Sequence, residues 1–348
     1  MKLPPLPRTR RLTALLAATV LAATPAACGG GSDAAAPPAN GLPTLKLVSY
    51  TSGAAAWIGY LGQKKGFFAK DGVNVQLVTL PAGAQATSAL LGGSLDVANL
   101  DLNNIGPALV QGQKFKLLVN EYVNNWQIIS KSADATKPLD SLLSSIKTVG
   151  VPSLGGAGTR FVQYLAQLHG GNAQAIKYVV DPNGASQVSG STDATATDPV
   201  GGCVLENQGF KSAFSFLDLK APKESYPAQV QALIGLPALS YWSSAKWADD
   251  NPKAVTAFQQ GVKDTIAWVK DPANGDEIAS MLANTVWHVS SLPGPAWTAC
   301  VKSTVKQFDP EFPPAAVDTW NTFVKATGVA PNGLPPASQW LATGAPQQ

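Results

Sequence analysis

The chain has 348 residues, of which 45% are hydrophobic and 14% charged, and its formal net charge is +3. Such a composition supports a sizeable core and excludes wholesale disorder, while scattered lysines at so small a net charge exclude a nucleic-acid-binding surface. At about 100–200 residues per domain, the length predicts two domains or lobes.

Residues 1–27 read as an export signal. Lys2, Arg8, Arg10 and Arg11 stand without an acid ahead of LTALLAATVLAA, residues 12–23. That apolar run is shorter than the ~20 residues that span a bilayer. TPAAC follows and is similar to a bacterial lipobox, whose cysteine, here Cys28, is lipidated and begins the mature chain. Pro25 stands where a lipobox usually carries leucine, so ordinary signal-peptidase cleavage nearby is the alternative, and Arg10-Arg11 leaves a twin-arginine signal open. Residues 28–43, rich in Gly, Ala, Ser and Pro without apolar periodicity, form a flexible tether. Four basic residues leave with the signal, so Lys+Arg falls from 25 to 21 against 22 acids, a net charge of −1. Arg160 is then the single arginine. The expected location is the periplasm or the outer face of the cytoplasmic membrane, held by lipid on Cys28.

The body opens with TLKLVSY, 44–50, whose alternation and β-branching predict a strand. After the loop TSGAAA, WIGYLGQKKGFF predicts one helix with Ile58, Leu61 and Phe67 along one side. A turn and second strand follow over 71–80, then a loop and a helix stopped by Gly92-Gly93. Next come a short strand over 94–100, a helix over 103–113 and a fourth strand over 114–123. The rhythm returns with a strand over 146–153, then a glycine-rich loop and helix over 155–171 with Thr159 as its N-cap. A strand over 176–181 and a further strand with its loop over 191–199 complete the second run. Residues 228–244 are expected to return as extended chain. Beyond them the chain is mainly helical, and 251–272 carries Pro252 in its first turn and an apolar stripe at Val255, Phe258, Val262, Ile266 and Val269. Alternation of strand, loop and helix predicts an α/β sheet with parallel strands. Two such units fit two lobes joined by crossing strands, with a ligand cleft between them. Outside the cytoplasm Cys203 and Cys300 tend to form a disulfide. Two buried free thiols are the alternative, because spacing does not show that the pair approaches.

Several stretches, taken in order, resemble one family: the periplasmic or lipoprotein solute-binding components of ABC importers, in the nitrate/sulfonate/taurine and thiamine-pyrimidine-precursor group. KKGFFAKDGVNVQLV is similar to that family's helix ending Gly-Phe-Phe, followed by Asp/Glu-Gly and a strand. PAGAQATSALLGGSLDVANL resembles its loop, helix and Gly-x-x-Asp-Val-Ala segment. GSTDATATDP resembles the echo of that segment in a second lobe, and NPKAVTAFQQGVKDTIAWVKDP the helix after the return to the first. The resemblance spans residues 44–285. It implies a two-lobed periplasmic-binding-protein fold, type II-like, whose α/β lobes are joined by two hinge strands and close on a small molecule. Lobe 1 is expected over 44–128 and 240–345, and lobe 2 over 129–239. The implied protein is a monomer without cofactor, metal or enzymatic activity, partnered by a membrane permease and its cytoplasmic ATPase.

Carried over by position, the expected site is Thr51, Ser52 and Gly53; Gly83 and Gln85; Asn99 and Asp101; Tyr122 and Trp126; and Ser153, Gly156, Thr159 and Arg160. Each stretch follows the carboxyl end of a strand, where open α/β sheets bind ligands. The runs NLDLNN and VNEYVNN are expected to supply a polar wall. Helix N-termini attract anions, and Arg160 adds a planar fork, which favours a sulfonate- or nitrate-like ligand. Bland readings stand beside these. Arg160 is a packing residue paired with an acid, the glycines make a tight turn, and Trp57 and Trp126 belong to the core. The runner-up ligand is a neutral or cationic pyrimidine-like ring using Trp126, Tyr122 and Glu121 or Asp101. Asp96 and Asp193 are read as caps or turns, His169 as a helix-end residue and His288 as a surface or tail residue. The alternative functions are an extracytoplasmic enzyme or a ligand sensor on the same fold. Two histidines, no zinc spacing and a GGAGTR loop without the Gly-Lys-Ser/Thr ending leave an enzyme little equipment.

Overall fold

The computed structural model describes residues 41–80, 83–181 and 184–342. The export signal, Cys28 and all but the end of the tether lie outside the described residues. β1 (Thr44–Tyr50) leads through a loop into α1 (Trp57–Lys65) and α2 (Phe67–Asp71). These are two helices where one was expected, because Gly66 at φ 76° closes the first. β2 (Asn74–Leu80) pairs in parallel with β1, and α3 (Gly83–Leu91) leads to β3 (Ala98–Leu100). α4 (Leu102–Val110) and β4 (Phe115–Val123) complete the first run.

The chain then crosses at 124–126 into a second sheet. Its elements are β5 (Gln127–Ser130), α5 (Leu139–Ser145), β6 (Thr148–Val151), α6 (Ala157–Leu168) and β7 (Lys177–Val180). α7 (Ala185–Val188), β8 (Ala194–Thr197), α8 (Pro199–Asn207) and β9 (Lys211–Ser215) follow. The return contains α9 (Ala228–Leu233) before β10 (Pro237–Ser244), so only the second half of 228–244 is extended. Val230 and Leu233, three residues apart, bury one face of that helix after Pro227, and Gly235 at φ 76° frees the chain to straighten.

Three sheets result, ordered β1-β2, β3-β10-β4 and β7-β6-β8-β5-β9, and an isolated bridge from Leu47 to Val97 continues the first toward the second. β6 is parallel to β7 and β8, but β5 and β10 run antiparallel to their neighbours. The sheets are therefore mixed. Only a helical crossover forces parallel pairing, and these two strands are entered from the lobe crossings instead. The crossings brace each other, since Asn124 donates from its backbone to Leu236 O at 2.7 Å and from its amide to Leu233 O at 3.2 Å.

The C-terminal part is helical: α10 (Ala245–Asp250), α11 (Pro252–Lys270), α12 (Gly275–Ala283), α13 (Gly294–Thr304) and α14 (Ala315–Ala326). α11 buries the expected stripe, and Phe258 stacks on Phe68 with ring centres 5.4 Å apart. Trp57 is fully buried against Trp297 and belongs to the core. Burying such a side chain stabilises by about 1.5–3 kcal/mol. α14 packs on α6 through Phe323 and Phe161, ring centres 4.7 Å apart. No helix among the described residues is long and apolar enough to cross a membrane.

Candidate functional site

A cleft of about 550 Å³ opens where strand carboxyl ends from the three sheets come together. Its walls are the loop after β1 (51–55), Tyr122 near the end of β4 with the crossing residues Asn125 and Trp126, Pro152 after β6, and the turn from Thr197 and Asp198 into α8. A fifth wall is the 286–291 segment between α12 and α13. Strand ends are where loops leave unpaired backbone and where α/β proteins place ligands.

Among the described residues, Asp198 is the only carboxylate of the lining. It is the N-cap of α8, accepting from Gly201 N at 2.8 Å. Its second oxygen faces Gly53 and lies 2.7 Å from where a Cβ on that residue would stand. Gly53 has φ 69°, so both the backbone and the close approach require glycine. Burial raises the Asp198 pKa above the ordinary carboxylate value, although the Gly201 and Val200 N–H groups oppose the shift. Behind the lining, Glu121 is fully buried, accepts from the Asn99 amide at 2.8 Å, and is pushed well up by burial. Burial likewise raises Asp101, which caps α4 through Asn104 N at 2.8 Å.

Aromatic rings form part of the wall beside small and polar residues. Trp287 donates from its indole to Tyr50 O at 2.6 Å, which fixes that ring at the wall. Trp126 lies on Gly158, where an added Cβ would come within 2.5 Å of the indole. The glycine of the GGAG loop is thus needed for ring packing. His288 lines the cleft with its ring edge-on to Trp297 at 5.1 Å, so it is a wall residue and not the surface or tail residue expected.

Of the expected site residues, Thr51, Ser52, Gly53, Tyr122 and Trp126 line the cleft. The others do not. Gly83 opens α3 beside Asn104, and Gln85 is exposed on the same helix. Asn99 is spent on Ala55 O and Glu121, and Asp101 on its own helix. Ser153 O accepts from the Thr159 hydroxyl at 3.0 Å, so Thr159 is a first-turn residue and Gly156 occupies the N-cap. Arg160 donates to Thr327 O at 3.0 Å and to Gln163 at 3.5 Å. Its guanidinium thus meets a carbonyl at the C-terminus of α14, where the helix dipole favours a cation. Of the asparagines in the two asparagine-rich runs, only Asn125 lines the cleft, and its amide is held by Gln307 at 2.5 Å. Asn120 and Asn124 bond backbone carbonyls elsewhere.

Sequence reasoning missed Asp198, Thr197 and the 286–291 segment. Asp198 was legible in principle: Asp-Pro directly after a short strand is an N-cap signal. Trp287 and its neighbours follow no strand, and only packing brings them to the cleft. Among the described residues no group of three or more His, Cys, Asp or Glu is placed to hold a metal. The structure joins the sulfurs of Cys203 on α8 and Cys300 on α13, with Cα atoms 5.8 Å apart.

The NMT1/THI5-like family profile matches residues 57–274, and the chain belongs to that family. Its fold is shared with periplasmic binding proteins. The aliphatic sulphonate-binding protein SsuA of Escherichia coli is 15% identical at a TM-score of 0.65, covering 86% of this chain and 97% of that one. The alkanesulfonate-binding SsuA of Xanthomonas axonopodis pv. citri, bound to MOPS, is 17% identical at 0.64, covering 88% and 100%. The nitrate-binding protein NrtA of Synechocystis is 18% identical at 0.56, covering 74% and 69%. No curated protein matches the chain.

Proposed function

We propose that this chain is the exported solute-binding lipoprotein of an ABC importer, which captures a small molecule in its cleft and hands it to a membrane permease served by a cytoplasmic ATPase. The cleft carries the reading. Its walls come from strand ends of both lobes, so a bound solute contacts both and favours the closed arrangement over the open one. The family match and the shared fold with sulphonate- and nitrate-binding proteins support it. Lipid on Cys28, with the Gly-rich segment after it as a tether, keeps such a protein beside its permease.

For the ligand, the lining supports the ring-bearing alternative over the small anion. It holds Trp126, Trp287 and Tyr122 and neither lysine nor arginine. Aromatic walls supply flat apolar area that a nitrate or short sulfonate leaves unused.

Native mass spectrometry of the gently purified mature protein tests the reading, with a co-purified small molecule expected. Added back at 100 times its dissociation constant, that molecule stabilises the protein by about 2.7 kcal/mol. Chemical turnover of it would move the assignment to an enzyme. Fatty-acid labelling tests the anchor: Cys28→Ser is expected to abolish it, and undiminished labelling of an exported, processed variant overturns it.

A further inference from the structure

We propose that the solute is a cation, a flat or ring-bearing body packed on Trp126 and Trp287 with a protonated nitrogen against Asp198. The inference rests on the ring reading above and adds its charge.

Four observations converge. Asp198 lines the cleft with one oxygen accepting from Gly201 N and the other packed against Gly53, where no side chain covers it. The lining has no lysine or arginine to answer that carboxylate, and its one basic side chain, His288, lies edge-on to Trp297. Two further carboxyls, Glu121 and Asp101, stand behind the wall, where after burial they add to the upward shift of Tyr50 and of the cleft's Tyr122. Finally, the helix N-termini and the guanidinium expected to attract an anion are already engaged. The α4 and α8 N-termini are capped by Asp101 and Asp198 themselves, the start of α6 is covered by Trp126, and Arg160 is bonded to Thr327 O. Tryptophan faces beside a carboxylate are how proteins hold a ring-bearing ammonium or amidinium, through cation–π attraction together with a charge-assisted hydrogen bond.

One ring in three charge states tests this. Benzylammonium, benzyl alcohol and benzenesulfonate are titrated calorimetrically into the mature protein, with thermal shifts alongside. The cation is expected to bind about 10-fold or more tighter than the alcohol, and the sulfonate more weakly than both. Asp198→Asn keeps the helix cap, because asparagine caps as well as aspartate. It is expected to bring the cation within about 2-fold of the alcohol, whose unchanged affinity reports an intact cleft. Sulfonate binding as tight as the cation's, or an undiminished cation preference in Asp198→Asn, overturns the proposal. Rings bound without charge preference leave the ring reading standing and remove the cation. Stabilisation by nitrate or taurine with none by any ring removes both, and no stabilisation by any probe also counts against the cation.

Discussion

Residues 93–101 and 190–198 are one device built twice. Each opens on a glycine of positive φ, 70° at Gly93 and 78° at Gly190. Three residues on, an aspartate accepts from the backbone at the start of a neighbouring strand. Asp96 takes Lys46 N at 2.7 Å, and Asp193 takes Lys147 N and Thr148 N at 2.8 and 2.9 Å. A short strand follows, then an N-cap aspartate, Asp101 or Asp198, bonded at 2.8 Å to the backbone three residues on. The fates of the two caps differ. Asp101 lies behind the cleft and Asp198 lines it. Local sequence makes the cap, and the loop it meets decides whether it serves a ligand. The loop opposite Asp198 is the one with Gly53 at its tip.

The largest contrast between the copies is covalent. α8 is tied to α13 through Cys203 and Cys300, 97 residues apart in sequence, and α4 has no such tie. The chain-entropy value for a loop of that size is about 4.7 kcal/mol, and measured losses are usually smaller. Cys203→Ser with Cys300→Ser is expected to lose about 2–4 kcal/mol in urea melts. Thiol titration of denatured, unreduced protein should find neither group free, and two reactive thiols would remove this contrast.

Next come two glycines at the cleft side of the lobes, Gly53 in the loop after β1 and Gly158 in the first turn of α6. Gly53→Ala forces a Cβ into the left-handed region and against Asp198, and Gly158→Ala forces one into Trp126. Each is expected to lose about 1–3 kcal/mol, and the Gly158 change should also alter Trp126 fluorescence. A loss below about 0.5 kcal/mol at Gly158 would mean that the indole moves aside freely.

The paired aspartates sharpen the comparison through pH. Burial alone would raise Asp193, but the Lys147 and Thr148 N–H groups and the Thr148 hydroxyl outweigh it and lower its pKa. Its contribution is present above the unfolded carboxylate value of about 3.9 and fades as pH falls through the lowered folded value. Burial wins at Asp96 and raises it, so its charged form opposes folding at neutral pH and that penalty disappears on acidification. Asp193→Asn is expected to lose about 1–2 kcal/mol at pH 7 and to flatten the acid limb of the stability curve. Asp96→Asn should change little at pH 7 and steepen that limb. Parallel acid limbs for the two variants would contradict the contrast.

The smallest effect belongs to Arg160. Lysine retains a cation at the end of α14, so Arg160→Lys is expected to lose under about 1 kcal/mol and to leave ligand affinity unchanged. A tenfold loss of affinity measured by calorimetry would bring the guanidinium back to the ligand.

The two runs of strand and helix, the α11 stripe and the repeated glycine–aspartate segments were legible because they depend on neighbours within a few residues. Periodicity, caps and turn residues act at that range. The site was legible only where it coincides with strand ends, at Thr51, Ser52, Gly53, Tyr122 and Trp126. Tertiary structure decided the rest. It turned Arg160 to a carbonyl 167 residues away and brought Trp287 to Tyr50 O across 237. It also set Trp126 on the glycine that had looked like an anion loop. A guanidinium's range of chemistry is written in its residue type, but its partner is fixed by which surfaces pack. Packing between residues hundreds of positions apart leaves no periodic trace in a single chain.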